Sequence, residues 1–578
     1  MAKQLSREIS QRFSQAALVA DFLDFKCETL AEVDSAKLVI FIVSTYGEGD
    51  PPENATKFDH WLQNSSDIKH LANLQYAILG LGNSNYKYYN RFALQTHEAL
   101  QRAGGNPVLD LSLADDAHGL TREEFSLWKE RLFEVFIQQL GIAECPKEYE
   151  PVLMVTPSDN EVVNEEICRP LSLETKQKAK STETYSVLVK LVQNITPKST
   201  RTILNIDIDI SNEPKLKYSS GDHLAVWPEN PASEIRDLSM ILGISEEEMH
   251  RPVKISSRDC DFHIPWPHPV NFHTIFKHHL NIAGLVSRDL IRSLRQFTSN
   301  TSEQTALDTM AREYRYLCTT QRMTLASVLT SASSGSPWVI PMSFVLENME
   351  YVKPRYYSIA STPTVSPRTI SLTVAAKQIE LGSQGVLHGL MTRHLLGMQQ
   401  LDSVFLSDQL KLWCSVRKTK FKPPVSPFQP MIMVANGSGI APFLGFIRHR
   451  LRSFQLKNEV GDMILFYGCQ DESVHLYKDE IDDALSIFSG KLHVVTAYSR
   501  NGGGYVQNCM QAHSANLREL LCNKNASVYM CGSTSMARSV RQELLKIIKQ
   551  QEGWTESQAQ SYEVSQLKMG KWQLDVWG

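Results

Sequence analysis

The sequence predicts a multidomain α/β protein, with two doubly wound parallel-sheet domains on either side of a β-barrel. Short apolar runs alternate with helix-length polar segments in the first and last parts of the chain, which is typical of parallel sheets covered by helices. The middle part instead alternates apolar and polar residues. A length of 578 residues, at about 150 residues per domain, favours three or four domains.

Composition excludes several classes of protein. A net charge of -4, from 59 basic and 63 acidic residues, provides no positive field for nucleic acid. Ten cysteines without a CxxC pair indicate neither a zinc site nor a secreted disulfide framework, so we expect no metal. The polar start MAKQLSREIS is neither a signal peptide nor a membrane anchor, and we expect a soluble chain.

Residues 1–144 form the first predicted domain. Leu5, Ile9 and Phe13 share one helical face, so a helix is expected to open the chain. An acidic turn at 114–116 precedes a predicted amphipathic helix over 121–140. Three apolar runs predict strands of a buried parallel sheet, at 38–43, 76–81 and 107–111.

A predicted linker over 145–184, rich in Pro, Glu, Lys, Ser and Thr, ends this domain. The β-barrel is expected over 185–425, because strand-like blocks at 185–210 and 355–413 flank a helical insertion at about 232–346. After a hinge rich in Lys and Pro, a second doubly wound domain is expected over 426–578.

Two segments carry features of dinucleotide sites. Residues 430–447 place a strand, a small-residue turn and a helix in succession, which aims backbone N–H groups at a pyrophosphate. A tight strand-to-helix turn that requires glycine explains the same pattern. The run 355–358 (RYYS) supplies a cation, an aromatic ring and a hydroxyl, which suit a flavin dinucleotide, although ordinary barrel tyrosines are the alternative.

Two loops of the first domain each combine a tyrosine with a glycine-rich backbone. Residues 45–50 (TYGEGD) and 80–86 (GLGNSNY) both follow the carboxyl end of a predicted strand, where open α/β sheets bind ligands. The pairing suits a flat ring held between aromatic side chains. Either loop alone is more often a simple turn.

These segments belong to a longer series of motifs that resembles the diflavin reductases, and most closely the NADPH-cytochrome P450 reductases. The resemblance covers essentially the whole chain. The nine motifs, in order, are STYGEGDPPENA, LGLGNSNYKYYN, YSSGDHLAVWP, RYYSIAS, NGSGIAPFLGFI, YGCQDESVHLYKDEI, AYSR, VYMCG and LDVWG.

The resemblance implies a flavodoxin-like FMN domain, an FAD-binding barrel and a Rossmann-like NADP-binding domain. Electrons then pass from NADPH to FAD, to FMN and to a haemoprotein such as cytochrome P450 or a cytochrome c-like protein. Tyr46 and Tyr86 are implied to sandwich the FMN ring. The other implied FMN residues are Gly47, Gly82, Asn83 and Asp115.

For FAD, the resemblance implies contacts from Arg355, Tyr357, Ser358, Gly385 and Val386. For NADPH, it implies a pyrophosphate turn at Gly437, Ser438 and Gly439, and an adenosine end at Ser499, Arg500, Tyr505 and Gln507. A hydroxyl beside a cation, at Ser499 and Arg500, favours a 2'-phosphate and hence NADPH over NADH. The implied hydride-transfer residues are Ser358, Cys531, Asp575 and the flavin-covering Trp577.

The chain departs from the family pattern at its start, where the first strand and the phosphate loop of the flavodoxin-like domain are missing. We therefore expect weak FMN binding. Membrane association requires an upstream anchor, so we expect a cytoplasmic protein, or the cytosolic face of the endoplasmic reticulum for a longer form. Other departures are His388, Ser533 and a short turn at 501–504 without lysine, which predicts a weaker preference for NADPH.

Three functions stay open at this point. The leading hypothesis is an electron supplier to haem-thiolate monooxygenases, with the acceptor docked on acidic residues of the FMN domain. A second is a reductase that supplies an iron-sulfur assembly partner. The third is an FMN-deficient paralogue that retains only hydride transfer from NADPH to FAD.

Overall fold

The structure is a computed structural model that forms two compact units. Residues 1–150 and 286–314 make unit 1, and residues 151–285 and 315–578 make unit 2. The residues described are those outside 24–29, 31–37, 47–48, 65–70, 87, 120, 146–147, 159–160, 164–182, 259–263, 267, 381–384, 403–409, 501 and 578.

The strands of the described residues are β1 (Leu38–Ser44), β2 (Gln75–Gly82), β3 (Asn106–Pro107), β4 (Ser112–Asp115), β5 (Leu153–Pro157), β6 (Tyr185–Asn194), β7 (Ile203–Asp209), β8 (His223–Trp227), β9 (Val253–Ser257), β10 (Arg355–Ser358), β11 (Thr369–Ala375), β12 (Gln378–Glu380), β13 (Val386–His388), β14 (Lys411–Arg417), β15 (Met431–Asn436), β16 (Met463–Cys469), β17 (Leu492–Tyr498), β18 (Ser527–Ser533) and β19 (Trp572–Trp577).

The α-helices are α1 (Ala2–Phe13), α2 (Thr56–Asn64), α3 (Arg91–Arg102), α4 (Thr121–Gln138), α5 (Ala232–Ile241), α6 (Glu246–His250), α7 (Phe272–Thr274), α8 (Arg288–Leu294), α9 (Thr301–Arg312), α10 (Leu325–Ala332), α11 (Met342–Asn348), α12 (Leu390–Asp402), α13 (Ala441–Gln455), α14 (Lys478–Phe488), α15 (Val506–Met510), α16 (Ser514–Arg518), α17 (Thr534–Glu552) and α18 (Glu556–Lys568). No helix of the described residues is both long and apolar enough to cross a membrane.

Unit 1 is built on a parallel sheet in which β2 pairs with β1 on one side and with β3 and β4 on the other. The predicted opening helix is confirmed, because Leu5, Ile9 and Phe13 of α1 are all buried in a cluster with aromatic residues of α4. The predicted helix over 121–140 is confirmed as α4. Within the described residues, β1 has a strand partner on its β2 side only.

The strand predicted at 107–111 is wrong in its position. The chain pairs with β2 twice, as β3 at Pro107 and as β4 from Ser112. Pro107 lies opposite Tyr76 and Ser112 opposite Leu79, so two extra residues leave the ladder between them. Asp115 ends β4 rather than lying in a turn, and the acidic turn begins one residue later.

Helices α8 and α9 belong to unit 1, although the sequence placed them inside the barrel's insertion. Buried ion pairs hold α8 against α4: Arg288 Nε donates to Glu123 at 3.0 Å, and Lys129 Nζ lies 2.7 Å from Asp289. Lys129 also pairs with Glu8 of α1 at 2.6 Å. Charges this deeply buried need partners, so these pairs fix the position of α8 on unit 1.

Unit 2 contains the predicted barrel, a six-stranded antiparallel sheet in the order β10-β8-β14-β6-β7-β11. An antiparallel bridge between Ile359 and Leu372 joins its two outer strands and closes it.

The predicted linker is wrong in one part, because β5 lies within it and pairs with β9. The insertion is therefore not wholly helical. Much of the remaining linker lies outside the described residues.

The C-terminal part of unit 2 confirms the second doubly wound domain. Its parallel sheet has the order β17-β16-β15-β18-β19, with strand β15 almost fully buried at the centre. Helices α13, α14 and α17 follow strands β15, β16 and β18. The carboxyl ends of β15, β18 and β19 therefore lie side by side at one edge of the sheet, where such folds bind their ligands.

A group of buried histidines in unit 2 predicts acid sensitivity. Burial lowers the pKa of His279 and of His394 to about 4 and that of His278 to about 3. The unfolded chain takes up these protons near pH 6.5 and the folded chain does not, so stability falls as pH falls from about 6.5 towards 4.

We expect each group to reduce the free energy of unfolding by ~1 kcal/mol at pH 5.5. Thermal melts of His279→Leu should show a smaller loss of Tm between pH 7.5 and 5.5 than the unchanged chain. The exposed His250, changed to Leu, is the matched control. An equal pH dependence in all three proteins would contradict this prediction.

Candidate active site

Two pairs of residues define the site, and the members of each pair lie opposite one another on neighbouring strands. The two pairs come from different sheets of unit 2. Cys531 on β18 lies opposite Asp575 on β19, near the carboxyl ends of the parallel sheet. His223 on β8 lies opposite Ser358 on β10, in the barrel. Side chains at opposed positions of paired strands project from the same face, so each pair presents its two polar groups together.

Three of these side chains converge on one carboxylate oxygen of the fourth, Oδ2 of Asp575. Ser358 Oγ donates to it at 2.7 Å, and His223 Nε2 lies 2.9 Å from it. Cys531 Sγ lies 3.8 Å away, at the range of a weak thiol hydrogen bond. The structure thus brings together three of the four predicted hydride-transfer residues, from positions up to 217 residues apart in sequence.

Electrostatics keep Asp575 ionised. Burial raises the pKa of this carboxyl, but the hydrogen bond and charge of His223, and the hydroxyl of Ser358, hold the pKa below its usual value. Burial raises the pKa of Cys531 well above its usual value, and the neighbouring Asp575 raises it further. Cys531 is therefore a neutral thiol and a donor, and Ser358 is an oriented hydroxyl.

Trp577, the fourth predicted residue, lies at the end of β19, two residues beyond Asp575. Its backbone carbonyl accepts a hydrogen bond from Thr534 Oγ1 at 3.3 Å. Its ring is 44% exposed, an unusual state for so large an apolar side chain. The ring is therefore available to cover a flat ligand near Asp575.

The predicted pyrophosphate turn lies between β15 and α13, as a 3-10 turn over Gly437–Ile440. Gly437 has a φ of 53°, in the left-handed region that favours glycine. A Cβ at Gly439 would overlap the carbonyl oxygen of Cys531, so only glycine fits there. Ser438 lies between them, and the turn leads into the N-terminus of a 15-residue helix.

The predicted adenosine end follows β17. The backbone N–H groups of Ser499 and Arg500 donate to the carbonyls of Cys469 and Gln470, at 3.0 and 2.9 Å. Tyr505 caps α15 with an exposed ring, and Gln507 lies in its first turn. Asp471 lies beside this group: its hydrogen bonds to Ser473 and the charge of Arg500 lower its pKa.

The predicted flavin contacts of the barrel lie on β10 and on the β12–β13 hairpin. Burial lowers the pKa of Arg355, and no carboxylate of the described residues forms an ion pair with it. Burial raises the pKa of Tyr357 to about 12. Gly385, with a φ of 93°, and the exposed Val386 open β13. A half-buried cation without an acid is suited to bind phosphate.

The predicted flavin loops of unit 1 lie at the carboxyl ends of β1, β2 and β4. Tyr46 is 74% exposed and Tyr86 47% exposed. Asp115 Oδ1 accepts hydrogen bonds from the backbone of Ser84 and Ala117, at 2.8 and 3.0 Å, and so organises the loop beside Tyr86. Gly82 packs closely on Asn90, and Asn83 accepts from the backbone of Asn85. Gly47 lies outside the described residues.

Comparison with known protein families matches three domains in this order: Flavodoxin over residues 1–128, FAD binding domain over 177–394 and Oxidoreductase NAD-binding domain over 433–542. A NADPH–cytochrome P450 reductase of Candida maltosa is 31% identical over the whole chain and 89% of its own length. The chain belongs to the NADPH–cytochrome P450 reductase family. The chain is also 30% identical to reductases of Candida tropicalis and Aspergillus oryzae, and these matches extend over 89% and 88% of the relatives' lengths.

As a reductase of this family, the chain is an oxidoreductase with domains for FMN, FAD and NADPH. The residues present fit FAD and NADPH, because Arg355 is a cation without an acidic partner and Gly439 leaves its turn open for close backbone approach. The exposed rings of Tyr46 and Tyr86 fit a stacked FMN. How each residue acts on its cofactor is part of the proposal below.

Sequence reasoning missed one residue that the structure places beside Asp575, His223. The residue lies within the motif YSSGDHLAVWP, which carried the resemblance, but the motif gave it no role. Its position opposite Ser358 depends on the antiparallel register of β8 and β10. The two residues are 135 positions apart in sequence, so periodicity cannot align them. A polar residue at the start of a buried strand is the signal that could have indicated it.

The acid beside the predicted adenosine end leads to a prediction for how the reductase discriminates between NADPH and NADH. We expect Asp471→Asn to raise the NADPH/NADH ratio of kcat/KM about two- to fivefold, because the carboxylate opposes the attraction of Arg500 for a 2'-phosphate. Asp479→Asn, which removes an exposed acid of α14, is the matched control. The effect should shrink in high salt, and equal ratios in both variants would contradict it.

Proposed function

We propose that this reductase takes hydride from NADPH onto FAD at the Asp575 site, and passes electrons through FMN to a haemoprotein such as cytochrome P450. One observation carries the proposal: Ser358 and Cys531 converge on a buried, ionised Asp575 at the carboxyl edge of the NADP-binding sheet. The similarity to the reductase of Candida maltosa extends over the whole chain. The cytosolic face of the endoplasmic reticulum is the proposed place of action for a membrane-anchored form.

FAD supplies the redox chemistry when bound. The protein's part begins with Asp575, which stays ionised and accepts the hydroxyl proton of Ser358 in a hydrogen bond. This bond fixes the direction of the Ser358 hydroxyl. Cys531 keeps its proton and holds a compact, water-free wall beside Asp575, since the residue is completely buried.

The other predicted residues position the ligands. Arg355 neutralises the FAD pyrophosphate, and the turn Gly437–Gly439 directs backbone N–H groups at the NADPH pyrophosphate. Trp577 would cover the flavin ring and give way to the nicotinamide, a role that requires an exposed ring. Tyr46 and Tyr86 hold FMN between their rings, while Ser499, Arg500, Tyr505 and Gln507 bind the adenosine end.

Acidic side chains near the flavin loops of unit 1 support a haemoprotein with a basic face. Asp50, Glu53 and Asp116 are exposed on the loops that follow β1 and β4. Opposite charges steer association and do so less in salt. We therefore expect the reduction of a basic haemoprotein to slow as ionic strength rises, and the reduction of ferricyanide not to slow.

The test uses the full chain loaded with FAD and FMN, and compares two acceptors with NADPH as donor. Ferricyanide accepts directly from FAD, and cytochrome c requires FMN. The proposal predicts reduction of both, with cytochrome c reduction lost selectively in Tyr86→Ala and retained in Tyr316→Ala, an exposed tyrosine of unit 2.

Reduction of ferricyanide alone by the unchanged chain would identify the FMN-deficient alternative. Reduction of neither acceptor would overturn the proposal. Efficient electron transfer to an iron-sulfur protein but to no haem-thiolate protein would favour the second reductase class.

A further inference from the structure

We propose that His223 is a positioning residue of the hydride-transfer site, which holds Asp575 ionised and in the orientation that directs Ser358. This inference rests on the function proposed above, and assigns to a barrel residue a role in controlling a carboxylate of the NADP-binding domain. His223 contacts Asp575 Oδ2, and we infer that its effect passes through this carboxylate.

The geometry of the hydrogen bonds carries the first step. His223 Nε2 lies 2.9 Å from Asp575 Oδ2, the same oxygen that accepts from Ser358 Oγ at 2.7 Å. The two side chains are largely buried, with 21% and 12% of His223 and Asp575 exposed. Because His223 and Ser358 are opposed partners on β8 and β10, the barrel presents two donors to one oxygen as a unit.

The direction of the hydrogen bond follows from the charge on Asp575. An ionised carboxylate has acceptors only, so the proton of this bond lies on His223 Nε2. Both the neutral Nε2–H tautomer and the imidazolium satisfy this requirement. The bond therefore persists across the protonation states of the ring, and it holds the carboxylate by a charge-assisted contact.

The other charged groups around His223 are already engaged. Arg417 is its opposed partner on β14, and its guanidinium lies over the ring of Tyr356, 4.9 Å from the centroid. Asp222 precedes His223 on the chain and pairs with Lys418 and Lys422. Cys531 faces Asp575 as a neutral thiol. Among the described residues, Asp575 is the one acid within ion-pair distance of His223.

Loss of His223 has a specific consequence for Asp575. Burial then acts on a carboxylate held by Ser358 and the thiol alone, so the carboxyl takes up a proton at a pH where the unchanged protein is ionised. A protonated Asp575 becomes a donor and no longer orients the hydroxyl of Ser358. Flavin reduction should therefore fail at the acid end of its pH profile before it fails elsewhere.

The experiment measures the rate of FAD reduction by NADPH in single turnovers of the FAD- and FMN-loaded full chain, between pH 5.5 and 9. Because the pKa of Asp575 lies below its usual value in the unchanged chain, its acid limb lies below this range. We expect His223→Leu to raise the acid limb by about two pH units or more, into the measured range, and to slow reduction several-fold at pH 5.5 relative to pH 8. His223→Gln retains a side-chain N–H that can reach Oδ2, so the acid limb should return to the position seen in the unchanged chain.

Two further measurements separate this role from a structural one. FAD content and NADP⁺ affinity should be unchanged, because His223 acts on the orientation of a carboxylate. The asparagine of His223→Asn is polar but too short to reach Oδ2, so this variant should show the same acid-limb shift as His223→Leu. It replaces the Leu variant in the test if His223→Leu fails to fold.

An acid limb at the same pH in the unchanged, Asn and Leu proteins would overturn the role of His223, even with hydride transfer intact. Absence of NADPH-dependent FAD reduction in the unchanged chain would instead overturn the proposed function. NADPH-dependent FAD reduction by the unchanged protein therefore shows which has failed, the role of His223 or the proposed function.

Discussion

Asp575→Asn is expected to slow FAD reduction by NADPH ~10²-fold, with little change in Tm. The amide keeps the size of the carboxyl but removes the charge that accepts from Ser358, His223 and Cys531. The amide has one oxygen that accepts and one NH2 group that donates, and the NH2 group cannot accept from Ser358, His223 or Cys531. Single-turnover absorbance of the flavin measures the rate, and NADP⁺ affinity reports whether the binding site is retained.

The matched control is Gln573→Glu or Gln573→Ala, two residues before Asp575 on the same strand, where the side chain binds the backbone of Gly570 and Lys422. These variants should alter stability more than the rate of hydride transfer. A reduction rate in Asp575→Asn within a factor of three of the unchanged protein would show that the carboxylate charge does not support hydride transfer.

Gly439→Ala is expected to disable NADPH binding and to destabilise unit 2. The added Cβ would overlap the backbone carbonyl of Cys531, so the pyrophosphate turn must move away from β18. Overpacking of this kind costs about 1–3 kcal/mol. A displaced turn also misplaces the nicotinamide, for which we expect a ~10²-fold loss of kcat/KM for NADPH.

Gly397→Ala is the matched control, because Gly397 lies within α12 with open space around the position of a Cβ. This variant should be more stable than the unchanged chain by about 0.5–1 kcal/mol, since alanine favours the helix. Thermal melts and NADPH titrations of both variants provide the comparison. Equal Tm and equal NADPH affinity in the two proteins would contradict the close packing of the turn.

The parts of the fold that follow from local pattern were predictable from the sequence. The periodic apolar residues indicated α1 and α4, and the alternation of short apolar runs with helix-length polar segments indicated the C-terminal parallel sheet. Prediction failed where partners distant in sequence decide the structure. Strand β5 exists because it pairs with β9, about 100 residues later, and α8 lies on unit 1 because Glu123 and Lys129 are buried against it.

The site was predictable by resemblance and only in part by chemistry. Arg355, Tyr357 and the 437–439 turn carry local signals, since a cation, a ring and glycines stand close together in sequence. Cys531 and Asp575 carry none, and their meeting with Ser358 depends on how two sheets of unit 2 are placed. His223 shows the same limit, as the register of the barrel brings it to Ser358 and so to Asp575.

The most direct test of hydride transfer at the Asp575 site is a single-turnover reduction of FAD by NADPH and by 4-deuterated NADPH. The account predicts loss of oxidised-flavin absorbance with a primary deuterium isotope effect that becomes larger in Asp575→Asn, as hydride transfer becomes more fully rate-limiting. Flavin reduction without an isotope effect in either protein, or at equal rates in the two, would contradict it.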